Sequence, residues 1–467
     1  MTKSQPSVVI CGAGIAGVAA AYFLSVEHGL KNITLVETGD PLSLTSDKST
    51  EAYRNWWPGP DDAMTAFMNR SIDLMEAFAR TTNNRINLNN RGYLFATAQR
   101  EKIGWLHQMA RQAETFGSGK LRVHDSHSSS SSSATSYSPT SSAPMAGLVE
   151  MPNGADFITD PGLLRQHFGY LNADLAGVVH VRRAGSLSAQ QLGMFMLEAA
   201  RSAGVNLCRA QITGVQVNHG AVSTVELRSS SGQQEIKTDS LILTPGPMLK
   251  PMAAMIGVDL PVVAERHLKI SLPDTAGVIP RQAPMLIWLD EQYLPWTTDE
   301  RQALDEDESS GWLLEKFPAG VHCRPEGGAG SQTILALYNY ENIAEEVVFP
   351  VPETPHYPEI VLRGLSTMIP GLQRYLNDGV RPYVDGGYYI RTTENRPLIG
   401  PLPVKGAYVS GAYSGFGIMA ACAGGDLIAR HVAGEALPDY APSFMLSRYN
   451  NPDYIDRIER AVDDGQL

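Results

Sequence analysis

Hydrophobic and polar positions change period several times along the chain, and the first change comes at the start. Val8-Val9-Ile10-Cys11 is a short apolar run of the kind a buried strand presents. From Ile15 to His28, small and apolar residues (Val18, Ala19, Tyr22, Phe23) recur at helical spacing, and Gly29 stops the pattern. Ile33-Thr34-Leu35-Val36 is a second apolar run, ending on Glu37. Strand, helix and strand within about 30 residues predict one βαβ unit. Farther on, Val178 to Val181 predicts a strand, Gln190 to Ala203 a helix, and Val205 to Leu207 a strand after Gly204. Gly214 to Val217 and Val222 to Leu227 alternate apolar with polar residues, which predicts an antiparallel ribbon. Leu241 to Thr244 is a buried strand breaking at Pro245-Gly246, and Asp299 to Glu308 an acidic helix. Near the C-terminus, Ala407 to Ser410 reads as a strand, followed by a Gly-rich turn and a helix from about Ile418 to Val432. One stretch breaks the pattern: residues 126–144 are mostly serine, and such a tract predicts a disordered, solvated insertion within a domain.

Composition narrows the classes. At 467 residues the chain exceeds what one hydrophobic core usually organises, so two domains are expected. A net charge of −12 argues against a nucleic-acid partner, which requires a basic surface. Cys11, Cys208, Cys323 and Cys422 are scattered, without metal-ligand spacing or a disulfide framework, so no metal is expected and a reducing compartment is. The first strand leaves no room for a signal peptide, no run approaches the length of a membrane span, and Gly-Gln-Leu at the end matches no sorting tripeptide. These features predict a soluble, cytoplasmic protein.

The chemistry begins at Gly12-Ala13-Gly14-Ile15-Ala16-Gly17. Gly12 permits the tight turn, Gly14 lets a pyrophosphate approach the backbone, and Gly17 lets helix and strand pack closely. The helix opening at Ile15 and Ala16 offers its unsatisfied N–H groups to phosphate. Glu37, about twenty residues on, stands where a ribose diol would donate hydrogen bonds. This predicts a dinucleotide site but leaves FAD and NAD open. Two later segments shift the choice to FAD. Asp239 to Gly246 (DSLILTPG) resembles the second flavoprotein signature, a strand ending in a Gly turn near the dinucleotide, and Gly411 to Gly417 (GAYSGFG) opens a helix of small residues. A helix N-terminus there would stabilise negative charge on the reduced flavin.

On these residues the chain resembles the D-amino-acid oxidase superfamily of FAD enzymes, on the branch with glycine, sarcosine and dimethylglycine oxidases. The residues carrying the resemblance are the N-terminal turn with Glu37, Thr45-Ser46-Asp47-Lys48-Ser49-Thr50, Gly177 to Gly204, Tyr388 to Gly400, and GAYSGFG with its helix. They span nearly the whole chain in the family's order, with residues 255–380 matching loosely. The resemblance implies an α/β protein with a Rossmann-like FAD-binding domain of the glutathione-reductase type. With it comes an interleaved α+β substrate domain on a mixed, largely antiparallel sheet. The expected division is 1–85, 160–250 and 384–467 for FAD, and 86–159 with 251–383 for substrate. It implies FAD contacts at Gly12, Gly14, Ile15, Ala16, Gly17, Glu37, Thr45, Ser46, Gly246, Gly415, Phe416, Gly417, Ile418 and Met419. It also implies oxidation of a C–N bond of an amine or amino acid, by hydride transfer to flavin N5 giving an imine, with oxygen or another electron acceptor.

Two departures qualify it. Relatives with covalent flavin carry a cysteine just before the Tyr388 stretch; Gly387 stands here, so FAD is expected to be non-covalent. Sarcosine oxidase-like enzymes carry a lysine where this chain has Met419, which weakens the case for a small amino-acid substrate. Among substrate-side candidates, Tyr389 and Tyr413 offer aromatic faces to an amine, and Arg54 or Arg391 a fork for a carboxylate. Either arginine could instead form a structural ion pair. Lys48 lies in the loop that covers the flavin in relatives, and His267 is the best-placed imidazole. A flavin-dependent hydroxylase and a non-catalytic flavin-binding assembly protein stay open as alternatives.

Overall fold

A computed structural model describes residues 6–126, 137–139, 153–328, 330–341 and 343–460. Three sheets organise them. The first has six strands in the order Leu398–Pro401, Ala407–Gly411, Ser240–Leu243, Val8–Cys11, Ile33–Glu37 and Asn206–Arg209. All its pairings are parallel except that between Leu398–Pro401 and Ala407–Gly411. Val8–Cys11 is buried throughout, as a central strand covered on both faces must be. The predicted ribbon is a three-stranded antiparallel sheet of Gln211–Asn218, Ala221–Ser229 and Gly232–Lys237.

The helix Ile15–Tyr22, continued by a wider turn over Phe23–Glu27, packs on the six-stranded sheet and against the helix Gly417–Ala433. Close approach explains their small residues. A Cβ on Gly17 would fall 1.9 Å from the Gly12 carbonyl oxygen, and one on Gly425 2.8 Å from Ala19. The acidic helix forms at Thr298–Glu306, where Thr297 and Glu300 complete a reciprocal capping box.

The third sheet has nine strands in the order Tyr383–Arg391, Val263–Pro273, Thr333–Leu337, His322–Pro325, Met285–Trp288, Tyr93–Thr97, Gly177–Val181, Ala155–Ile158 and Leu121–His124. Two of its pairings are parallel and the rest antiparallel. Two strands therefore sit elsewhere than the expected boundaries put them. Gly177–Val181, assigned to the flavin side, pairs with Tyr93–Thr97 and Ala155–Ile158. Tyr383–Arg391 pairs with Val263–Pro273. An apolar run specifies burial on both faces but does not name the sheet that supplies it.

Most of the serine-rich insertion, 127–136 and 140–144, lies outside the described residues, as do 145–152 after it. Tyr137, inside it, departs from the solvated expectation. It is buried, its hydroxyl is 2.9 Å from His180 Nδ1, and Arg182 Nη1 donates to the Ser138 carbonyl at 2.9 Å.

Candidate active site

The Gly-rich turn leaves Val8–Cys11 and enters the helix at Ile15. Gly12 takes a φ of +98°, which a side chain rarely adopts, and a Cβ there would strike the Thr244 carbonyl oxygen at 2.7 Å. A long cavity begins here. Gly12, Gly14, Ile15 and Ala16 form one wall, with Glu37, Thr45 and Ser46 beside them and Gly246 opposite. Glu37 Oε2 accepts the Ala13 N–H at 2.8 Å and Oε1 the Gly39 N–H at 2.9 Å. Oε1 also accepts from the Thr38 hydroxyl at 3.1 Å, so Oε2 is the oxygen that keeps a lone pair for a ribose hydroxyl. The Ile15 N–H, first of the helix, donates to Ser46 Oγ at 3.0 Å.

The cavity ends at Gly415, Gly417 and Ile418. The turn there is strained: Ala412 (φ +55°) and Ser414 (φ +50°) are non-glycine residues in the left-handed region. They aim the backbone of Ser414–Phe416 and the start of Gly417–Ala433 at the cavity. A glycine cradle, an acidic side chain and two helix N-termini along one cleft fit an extended dinucleotide.

A second cavity adjoins the first at Tyr389 and Gly415, which line both. A Cβ on Gly415 would come within 2.7 Å of the Tyr389 ring, so the ring packs closely on the turn. The ring also stacks on His267, with centroids 3.9 Å apart and 18° between planes. Arg54 supplies the charge of this cavity. It ends the short strand Ala52–Arg54, which pairs with Ala184–Ser186, and is 8% exposed. Its guanidinium rests on Trp57 (4.8 Å), Tyr93 (5.4 Å) and Phe95 (5.8 Å). Among the described residues no carboxylate pairs with it, and its Nε has no hydrogen-bond partner. Burial lowers its pKa, opposed by Tyr93. The apolar walls are Met285, Ile287, Leu337, Phe416 and Met419, and His322 completes the lining with Thr50, Gly320 and Asn339.

Several expectations change place. Phe416 and Met419 line the second cavity rather than the dinucleotide cleft, because one side of that helix turn faces each. Gly17 lines neither; it serves helix–strand contact. Arg391, offered as a carboxylate fork, lines neither cavity, and its Nε donates to Glu265 Oε1 at 2.6 Å. Burial pushes the Glu265 carboxyl up, but hydrogen bonds from His267 and Arg391 outweigh it and leave it below the usual range. Lys48 pairs with Asp47 at 2.7 Å and Asp385 at 3.5 Å and also lines neither. Tyr413 lines the cleft, but its hydroxyl meets Ser410 Oγ at 2.7 Å, where a Cβ on Gly424 would collide with it. Its role is to wedge strand and helix. His322 was missed; it lies in the loosely matching middle, and nothing in the sequence distinguishes it from other buried histidines.

Residues 7–431 match the family described as DAO, FAD dependent oxidoreductase, so the chain belongs to that family. It is an FAD-dependent oxidoreductase. A sarcosine oxidase subunit beta from Rhodobacter capsulatus is 28% identical over 104 residues, covering 22% of this chain. That match spans 25% of the relative's length. Among solved structures, the L-proline dehydrogenase of P. horikoshii superposes with a TM-score of 0.70 at 18% identity, covering 96% of this chain and 98% of that one. The glycine oxidase of Geobacillus kaustophilus gives 0.69 at 16% identity, over 95% and 98%. These likenesses extend the shared fold over almost the whole chain. Among the described residues no helix is long and apolar enough to cross a membrane.

Proposed function

We propose that the protein oxidises the C–N bond of an amine that carries a carboxylate, with that carboxylate bound by Arg54. The carrying observation is the buried guanidinium without a carboxylate partner, facing the cavity that meets the dinucleotide cleft at Tyr389 and Gly415. An unpaired buried charge costs several kcal/mol, which an anionic substrate offsets when it docks in the guanidinium fork. Bound FAD would supply the two-electron acceptor for oxidation of the C–N bond to an imine. Arg54 fixes the carboxylate end, the apolar wall of Met285, Ile287 and Leu337 excludes water, and Tyr389 and Gly415 border the place where this cavity meets the cleft. Non-covalent cofactor binding is the companion reading: none of the four cysteines lines the cleft, and a Cβ on Gly387 would already stand 3.2 Å from Thr45 Oγ1.

The test is anaerobic flavin bleaching by amino acids and by the matching simple amines. Arg54→Met should lower kcat/KM for carboxylated substrates at least about a hundredfold, the loss expected when one partner of a buried charge pair is removed. It should leave simple amines within a few-fold. Equal losses on both classes would overturn the assignment. Flavin released by acid precipitation would support the non-covalent reading, and flavin retained on the protein would refute it.

A further inference from the structure

His322 begins the strand His322–Pro325, and its ring lines the same cavity as Arg54. Its Nδ1 lies 2.8 Å from the carbonyl oxygen of Gly320, which can only accept. Nδ1 therefore carries the proton of the neutral ring, and Nε2 keeps its lone pair. Among the described residues Nε2 has no hydrogen-bond partner, and the ring borders the cavity. No carboxylate lines that cavity, so a substrate nitrogen meets His322 Nε2 as a fixed acceptor, while Thr50, Tyr93, Tyr389 and Asn339 can turn to donate.

We propose that His322 Nε2 accepts an N–H of the substrate's amine while Arg54 holds its carboxylate, so that the cavity selects an α-amino acid by both of its polar groups. This rests on the reading of Arg54 above and deepens it. The two side chains come from different elements, the strand Ala52–Arg54 and the strand His322–Pro325, so their separation is fixed by the fold. The electrostatics keep the acceptor available. Burial lowers the His322 pKa to about 4; the Gly320 contact opposes this, and Arg54 and His267 reinforce it. The other titratable groups bordering the cavity, Tyr93 and Tyr389, are both raised by burial and stay neutral. At neutral pH the imidazole is thus an acceptor that neither repels the amine nor draws the carboxylate from Arg54.

The test titrates the flavin-loaded, anaerobic protein with acetate, propionate and tetrahydrofuran-2-carboxylate, and with glycine, alanine and proline, the corresponding amino acids. His322→Asn keeps a donor for the Gly320 carbonyl and removes the Nε2 acceptor. It should weaken the amino acids at least about tenfold, the scale of one lost hydrogen bond to a charged or buried partner. It should leave the amine-free acids within about twofold. His322→Gln, which returns an acceptor oxygen near the Nε2 position, should recover part of the amino-acid affinity. Equal weakening of acids and amino acids, or no weakening of either, overturns the proposal. Arg54→Met separates the two readings: it should weaken acids and amino acids together. If it does not, or if no acid and no amino acid binds the unmutated protein, the Arg54 reading fails and this one with it.

Discussion

Buried arginines meet opposite conditions at the edge of the nine-stranded sheet and on the short strand Ala52–Arg54. At the sheet edge Asp156 is 2% exposed and meets Arg122 at 2.7 and 2.9 Å, His124 at 2.9 Å and Arg182 at 3.1 Å. Toward the dinucleotide cleft, Arg54 is buried too; it has aromatic faces around it and a hydrogen bond with Tyr93, but no carboxylate partner among the described residues. Continuum arguments make the first arrangement roughly neutral for stability and the second unfavourable. The contrast between a site whose charges are paired and one whose guanidinium has no carboxylate is what supports the proposal that Arg54 receives its counter-charge from the substrate. Arg391 belongs with the first group because Glu265 occupies its fork.

The comparison can be broken most directly at Asp156. Asp156→Asn leaves Arg182 buried without its counter-ion and should lower unfolding free energy by about 3–5 kcal/mol, read from denaturant melts. A loss below about 1 kcal/mol would mean the edge cluster is no better satisfied than Arg54. The same group sets an acid dependence. Burial pushes its carboxyl up, but hydrogen bonds from His124 and Arg122 and the nearby guanidinium charges outweigh this, holding it far below the usual carboxylate range. The native state then binds fewer protons than the unfolded one. Its stabilisation is complete above the unfolded value, about 3.9, and is lost as pH falls through that value toward the folded one. Melts between pH 6 and 2.5 should show this loss setting in below about pH 4 in the unmutated protein and not in Asp156→Asn.

Next in size is Arg391→Ala. Glu265 is 2% exposed and would keep only His267, at 3.5 Å, of the two partners whose bonds hold its carboxyl down. The expected cost is about 2 kcal/mol of stability. Because Arg391 lines neither cavity, KM should change alike for amines and for carboxylated substrates. A rise confined to carboxylated substrates would move Arg391 into the substrate site. Arg54→Met should do the reverse: stability unchanged or higher by about 1 kcal/mol, since a bare buried charge is replaced by an apolar chain of similar reach.

The difference between the two arginines also marks where sequence reading stops. Gly12, Gly14 and Glu37 are legible because their chemistry is local: strand, turn, helix and acid follow within one βαβ unit. The GAYSGFG turn is legible for the same reason. Arg54 and Arg391 look alike in sequence, and what separates them is Glu265, more than a hundred residues from Arg391 and brought beside it by pairing of Val263–Pro273 with Tyr383–Arg391. His322 is illegible in the sequence because its tautomer depends on the Gly320 carbonyl and its place in the cavity on strands far apart along the chain. The strand Gly177–Val181 was readable as a strand but not as a member of its sheet, since partner choice is a property of register and long-range packing.

The smallest effect is expected at Lys48, the residue that resemblance placed over the flavin. Its ammonium is 27% exposed, between Asp47 and Asp385, and Asp385 also holds Lys269 at 3.4 Å. Lys48→Met therefore removes one of two cations on a shared carboxylate, at a half-exposed position where such pairs contribute below about 1 kcal/mol. Lys269 is 7% exposed and donates to the carbonyls of Asp47 and Ser49, so it keeps Asp385 and the loop in place after the change. Melting should shift little, and the rate at which air re-oxidises the reduced flavin should stay within about twofold, because no part of Lys48 lines the cleft or the cavity. A large fall in that rate with unchanged melting would place Lys48 beside the reacting ring and return it to the group of charges left for an incoming partner.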